Sequence, residues 1–130
     1  MSDENVEKLR RAYESFSRSD FDAAIEIAHP EIEFLRAGGQ AAVRGAAAFR
    51  EWMEPDALVD LRIEPLELRT HANKVLVHAR SRARGAGSGI ELDLRNWAVW
   101  TFDETGLATR VEAFLDHERD EALKAVGLPE

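Results

Sequence analysis

Between residues 75 and 115 the chain is written in period two. Val77, Ala79, Ser81 and Ala83 alternate with His78, Arg80, Arg82 and Arg84. After Gly85-Ala86-Gly87-Ser88-Gly89, the residues Ile90, Leu92, Leu94, Asn96, Ala98, Trp100 and Phe102 alternate with Glu91, Asp93, Arg95, Trp97 and Val99. Period two is the signature of a strand with two unlike faces. A link this short and glycine-rich returns the second strand antiparallel to the first, because a parallel neighbour needs a long crossover. Two more strands extend this hairpin. Residues 107–115 follow the turn Asp103-Glu104-Thr105-Gly106, with Thr109, Val111, Ala113 and Leu115 on the apolar face. Residues 58–69 precede the turn His71-Ala72-Asn73-Lys74, and Pro65 predicts a bulge or bend in that strand.

Helices precede the meander. Val6, Leu9, Tyr13 and Phe16 recur at three- and four-residue spacing, which predicts a helix over 4–18 with one apolar face. Asp20 is placed to cap a second helix over 21–28, which Pro30 ends. Ile32 and Phe34 alternate with Glu31 and Glu33 as a short strand. A third helix over about 45–53 carries Phe49, Trp52 and Met53 and stops at Pro55; a last one runs from about 117 to 125, with Asp116 as its cap. Helices early and a strand meander late define an α+β fold, with a mainly antiparallel sheet expected to curve and pack on the N-terminal helices.

At 130 residues the chain forms one domain, 1–130. It has no cysteine, which excludes disulfides, thiolate catalysis and cysteine-bound zinc. The net charge of −8 argues against nucleic-acid binding. The acidic residues Met1 to Glu7 do not read as a secretion signal, and no apolar run is long enough for a membrane span, so a cytoplasmic location is expected. The four histidines form no ligand-spaced set, so no metal is expected and no cofactor is implied.

The two faces of the hairpin carry different messages. On one, Glu91 and Asp93 lie where they can neutralise the arginine stripe across the strands. Farther along it, Trp97 and Val99 form an apolar patch. That patch predicts a homodimer through the outer sheet face, with burial under the C-terminal helix as the rival. The other face is apolar but rich in small side chains. Ala79, Ser81, Ala98 and Ala113 leave room that a densely packed interior would fill, so this face predicts a pocket. Its ligand-binding residues are expected to be Tyr13, Phe16, Phe34, Trp52, Ala79, Ser81, Asn96, Ala98, Trp100 and Ala113, and its ligand a small apolar molecule.

Two segments resemble a known family. "RRAYESFSRSDFDAAIEIAHPEIEF" is similar to the opening of the nuclear transport factor 2-like superfamily, and "NWAVWTFDETGLATRVEAFLDHERDEALKAVGL" resembles the close of its SnoaL-like branch. The resemblance implies a cone-shaped α+β barrel around a pocket, often dimeric. Relatives include polyketide cyclases, ketosteroid isomerases, limonene-epoxide-hydrolase-like enzymes, dehydratases and binding proteins without chemistry. Their catalytic charges do not carry over: the steroid-isomerase positions align with Leu35 and Ala98, and the epoxide-hydrolase-like positions with Ala79, Ser81 and Ala113.

Chemistry in the pocket would fall to Ser81, Asn96, Thr109 and Tyr13, none of them an acid or base near neutrality. Glu33 would face the cavity if its strand were shifted by one residue, and His78 if its strand bulged. Three readings follow: a binding protein for a small apolar ligand, an enzyme of the cyclase, isomerase or dehydratase kind acting on a cyclic carbonyl or polyketide-like substrate, or a structural or interaction protein whose pocket is filled by its own side chains.

Overall fold

The computed structural model describes residues 2–35, 43–53 and 58–129. Helix α1 spans Ser2–Ser17 and α2 spans Phe21–Ile25. Asp20 caps α2, its side chain accepting a hydrogen bond from the Ala23 N–H at 3.3 Å. Strand β1, Ala28–Leu35, is followed by the two-residue β2, Val43–Arg44, and by α3, Ala46–Trp52. The meander is β3, Leu58–His71; β4, Lys74–Gly85; β5, Glu91–Phe102; and β6, Ala108–Leu115. A single 3₁₀ turn, Asp116–Glu118, leads into α4, Arg119–Val126. The helix stop expected at Pro55 lies outside the described residues.

The six strands form one sheet in the order β2-β1-β6-β5-β4-β3. The period-two pattern sets its central register: Val77 pairs with Ala98, Ala79 with Asn96, Ser81 with Leu94 and Ala83 with Leu92. The next pair continues it, Ala98 facing Ala113 and Trp100 facing Val111. Strand β3 carries irregularities between Val59 and Arg62 and between Pro65 and Glu67. It lies on the sheet edge, where a proline leaves no ladder bond unmade. β1 lies parallel to β6, an arrangement no tight turn announces.

Helices α1–α3 cover the inner face of this sheet. Leu9, Ile32, Val75, Val77, Phe102 and Val111 are buried there. The cover ends before the sheet does: Ile90, just before β5, is 64% exposed, and Leu92 and Leu94 on the inner face of β5 are 37% and 62% exposed.

The outer face corrects the expected dimer surface. Trp97 is 5% and Val99 0% exposed within the single chain, because α4 lies across them. Ala122, Leu123 and Val126 of α4 form a second core with Leu76, Trp97 and Val99. The helix is pinned at both ends. At its start the Trp97 indole N–H donates to the Asp116 carbonyl at 3.0 Å, and His78 Nε2 lies 2.9 Å from the Asp116 carboxylate. At its end Lys74 Nζ donates to the Ala125 carbonyl at 3.1 Å and the His71 ring nitrogen lies 3.1 Å from that of Val126. Cations at helix C-termini satisfy carbonyls that lack a helical partner. The outer apolar patch of Trp97 and Val99 is therefore covered within the fold by the C-terminal helix, the rival expectation, and is not an exposed surface for a second copy. Asp116 also departs from its predicted role. It is not the cap of α4; the Glu118 carboxylate accepts from the Leu115 N–H at 2.8 Å instead.

Arg80 and Arg84 of the arginine stripe are each paired with a carboxylate, but not with the residue straight across. Arg80 faces Arg95 in register and reaches diagonally to Asp93, Nε to Oδ1 at 2.8 Å. The hydrogen bond from Arg80 holds the Asp93 carboxyl below the usual carboxylate range. Arg84 pairs with Asp60 of β3 rather than with Glu91.

Candidate functional site

Strand parity and small side chains together make a cavity of about 100 Å³ between the inner sheet face and the helices. Its floor is three cross-strand pairs: Ala79 with Asn96, Ala98 with Ala113, and Trp100 with Val111. Alanines at three of these six places leave the space. Tyr13 and Phe16, three apart on α1, form one wall, and Phe49 and Met53, four apart on α3, another. Phe34 of β1 stacks on Phe49 with centroids 5.5 Å apart, and Ile63 of β3 closes the edge.

The cavity is almost wholly apolar, with two polar side chains. Trp100 Nε1 donates to the Tyr13 hydroxyl at 3.1 Å, the rings meeting edge to face at 6.1 Å between centroids. Burial pushes the Tyr13 hydroxyl up to about 12 despite that hydrogen bond, so it stays protonated. Its oxygen accepts from Trp100, and its own proton has no acceptor among the described residues. The Asn96 carboxamide likewise makes no hydrogen bond among the described residues. No described residue lining the cavity carries a carboxylate, an imidazole or an amine.

Of the residues expected to bind a ligand, Tyr13, Phe16, Phe34, Ala79, Asn96, Ala98, Trp100 and Ala113 line this one cavity. Ser81 does not. It has the right parity, but it pairs with Leu94 where the helices no longer cover the sheet. Trp52 ends α3, and its side chain lies outside the described residues. Thr109 lies outside the cavity too, its hydroxyl 3.4 Å from the Thr101 carbonyl. Phe49, Met53 and Ile63 were not singled out as site residues. The first two were legible as one helix face, whereas Ile63 depended on where a bulged strand would bend.

The two ionisable candidates point elsewhere. Glu33 pairs with Arg44 at 3.0 Å on the far side of β1 and with Arg110 at 3.9 Å. His78 stays on the outer face, stacked on Trp97 with centroids 4.0 Å apart. No group of three or more His, Asp or Glu among the described residues could hold a metal. No helix among them is long and apolar enough to cross a membrane.

A curved six-stranded sheet with helices enclosing an apolar cavity is the cone-shaped α+β fold. The model of the SnoaL-like domain family matches residues 9–111, and the chain belongs to that family. A comparison with curated proteins gives no match. Solved structures show the same fold. A SnoaL-like polyketide cyclase from Jannaschia sp. CCS1 is 18% identical with a TM-score of 0.78, over 99% of this chain and 95% of that one. SalBIII, described as an epoxide hydrolase/cyclase-like enzyme in pyran ring formation in the polyether salinomycin, is 20% identical with a TM-score of 0.79, over 91% and 96%. TerC, crystallised with polyporic acid, is 24% identical with a TM-score of 0.73, over 92% and 96%. At these identities the likeness concerns the fold alone.

Proposed function

We propose that this chain binds a small, mostly apolar molecule that carries one hydrogen-bond acceptor, a ring ketone being the simplest example. The Tyr13 hydroxyl carries the reading: it borders an apolar cavity, and its proton has no acceptor among the described residues. A buried donor without an acceptor costs about 1–3 kcal/mol, which a ligand carbonyl would return. The hydrogen bond from Trp100 makes the hydroxyl a better donor, because a group that accepts is polarised toward donating. An apolar cavity of ~150 Å³ holds a benzene, so about 100 Å³ suits at most one small ring.

The enzyme reading, cyclase, isomerase or dehydratase action on a cyclic carbonyl or polyketide-like substrate, draws support from the same hydroxyl. A fixed donor at a carbonyl oxygen would hold charge developing there. Proton abstraction also needs a base poised near neutrality. The described lining residues supply none, and Tyr13, pushed up to about 12, cannot serve as one. Binding is therefore the reading preferred.

The test is a titration followed by amide chemical shifts, with cyclopentanone against cyclopentane. Both should move the amides of Ala98, Trp100 and Ala113, and the ketone should bind more tightly. In Tyr13→Phe the ketone should lose about tenfold in affinity, equivalent to ~1.4 kcal/mol, and the hydrocarbon should not. No shift with either compound would overturn the proposal.

A further inference from the structure

Tyr13 and Ile63 each border two spaces. On one side is the apolar cavity; on the other is a surface groove of about 380 Å³ between α1 and β3, lined also by Arg10, Glu14, Arg18 and Glu64. Both residues are only half-buried although both line the cavity. Their outward sides face the groove. The two side chains thus lie where the apolar cavity meets the open polar groove.

Size gives this boundary meaning. Small-molecule sites typically enclose roughly 300–1,000 Å³; the cavity falls below that range and the groove within it. Ser17 fastens the neighbouring stretch, its hydroxyl accepting from the Ile63 N–H at 3.1 Å and lying 3.3 Å from the Ile63 carbonyl. The end of α1 is thereby clamped to the same residue that closes the passage, so Ile63 can be altered in side chain without releasing the backbone that holds it.

We propose that the ligand is an elongated molecule, with an apolar carbonyl-bearing ring in the cavity and a neutral, oxygen-bearing tail that passes between Tyr13 and Ile63 into the α1–β3 groove. The groove carries both signs in equal number, Arg10 and Arg18 against Glu14 and Glu64. Arg10 already has Glu7 within 3.9 Å. A tail charge of either sign meets a like charge there, whereas hydroxyl or ether oxygens find both donors and acceptors. Ile63 is then the residue that sets ligand length. This extends the binding reading above and rests on it.

The experiment compares cyclopentanone with 2-(6-hydroxyhexyl)cyclopentanone and with the analogue ending in a carboxylate. The hydroxyl-tailed ketone should bind at least tenfold tighter than cyclopentanone, the carboxylate form should gain less, and amides of Glu14 and Arg18 should shift only with the tailed compounds. Ile63→Trp, which blocks the passage, should leave the hydroxyl-tailed ketone binding no tighter than cyclopentanone does to the same variant; Ile63→Ala should keep or enlarge the gain. The chemical-shift map decides the matter if Ile63→Trp does not fold. If cyclopentanone binds but the tail adds nothing and Glu14 and Arg18 stay unshifted, the extension is wrong and the cavity reading stands. If cyclopentanone itself does not bind, both fall. A carboxylate tail that binds best would overturn the neutral-tail assignment.

Discussion

The indole of Trp100 and the hydroxyl of Tyr13 are joined at 3.1 Å across 87 residues of sequence, linking the floor of the sheet to the first helix. Each residue also lines the cavity. The bond thus has two roles: it fixes α1 over β5, and it orients the only hydroxyl among the described residues that borders the apolar space. Removing it should therefore be felt in stability as well as in binding.

Tyr13→Phe keeps the ring and leaves the Trp100 N–H without its acceptor. Leaving a buried donor unpaired costs about 1–3 kcal/mol, so the urea midpoint should fall accordingly with an unchanged slope. Pairing this with Trp100→Phe should restore part of the loss, because the second change removes the stranded donor. If Tyr13→Phe alone is as stable as the parent, the bond has no structural weight.

Tyr13 is the only tyrosine in the chain, which makes its ionisation directly visible in ultraviolet absorbance. Its hydroxyl is raised from 10.0 to about 12 by burial. In the unfolded chain it ionises near 10, so between those values the unfolded state holds fewer protons. The stabilisation is complete below about pH 10 and is lost as pH rises toward 12. A two-unit difference corresponds to roughly 2–3 kcal/mol. Tyrosinate absorbance should rise near pH 12 in native protein and near pH 10 in urea. A native midpoint at 10 would place the hydroxyl in water.

How far the sequence reached follows from what kind of pattern each element leaves. The β4–β5–β6 register was legible because a one-residue slip would turn every apolar side chain to the wrong face; Ala79, Ala98 and Ala113 therefore mark the cavity floor by parity alone. Parity says nothing about where the covering helices end, which is why Ser81 falls outside. It is equally silent on what covers Trp97 and Val99. An apolar patch needs a cover, and a helix bearing Ala122, Leu123 and Val126 from the same chain serves as well as a second copy. The seat of β1 beside β6 rests on contacts between distant segments that no local period records.

Because α4 is the cover, Trp97→Ala should act within one chain. It opens a hole under the helix, frees the Asp116 carbonyl and removes the surface on which His78 stacks. Buried aromatic truncations cost about 3–5 kcal/mol. Amide exchange should quicken most in α4 and in the 3₁₀ turn before it, while the Ala98 and Trp100 amides keep their response to cyclopentanone. Loss of ligand binding in a folded variant would tie the outer core to the cavity, contrary to the two separate clusters seen here.

Two alanine substitutions can distinguish an empty cavity from an ordinary core. Ala98 borders the open space, whereas Ala108 is fully buried in the same core and does not line the cavity. Adding methylenes to a packed interior forces neighbours aside and costs about 1–3 kcal/mol; adding them to a void gains contacts instead. Ala108→Leu should therefore lower the melting temperature by several degrees, while Ala98→Leu should leave it unchanged or raise it and abolish cyclopentanone binding. Equal destabilisation by both would mean that the space above Ala98 is closed in solution. In that case the small residues of the inner face are ordinary core, and the proposal of a ligand in this cavity falls.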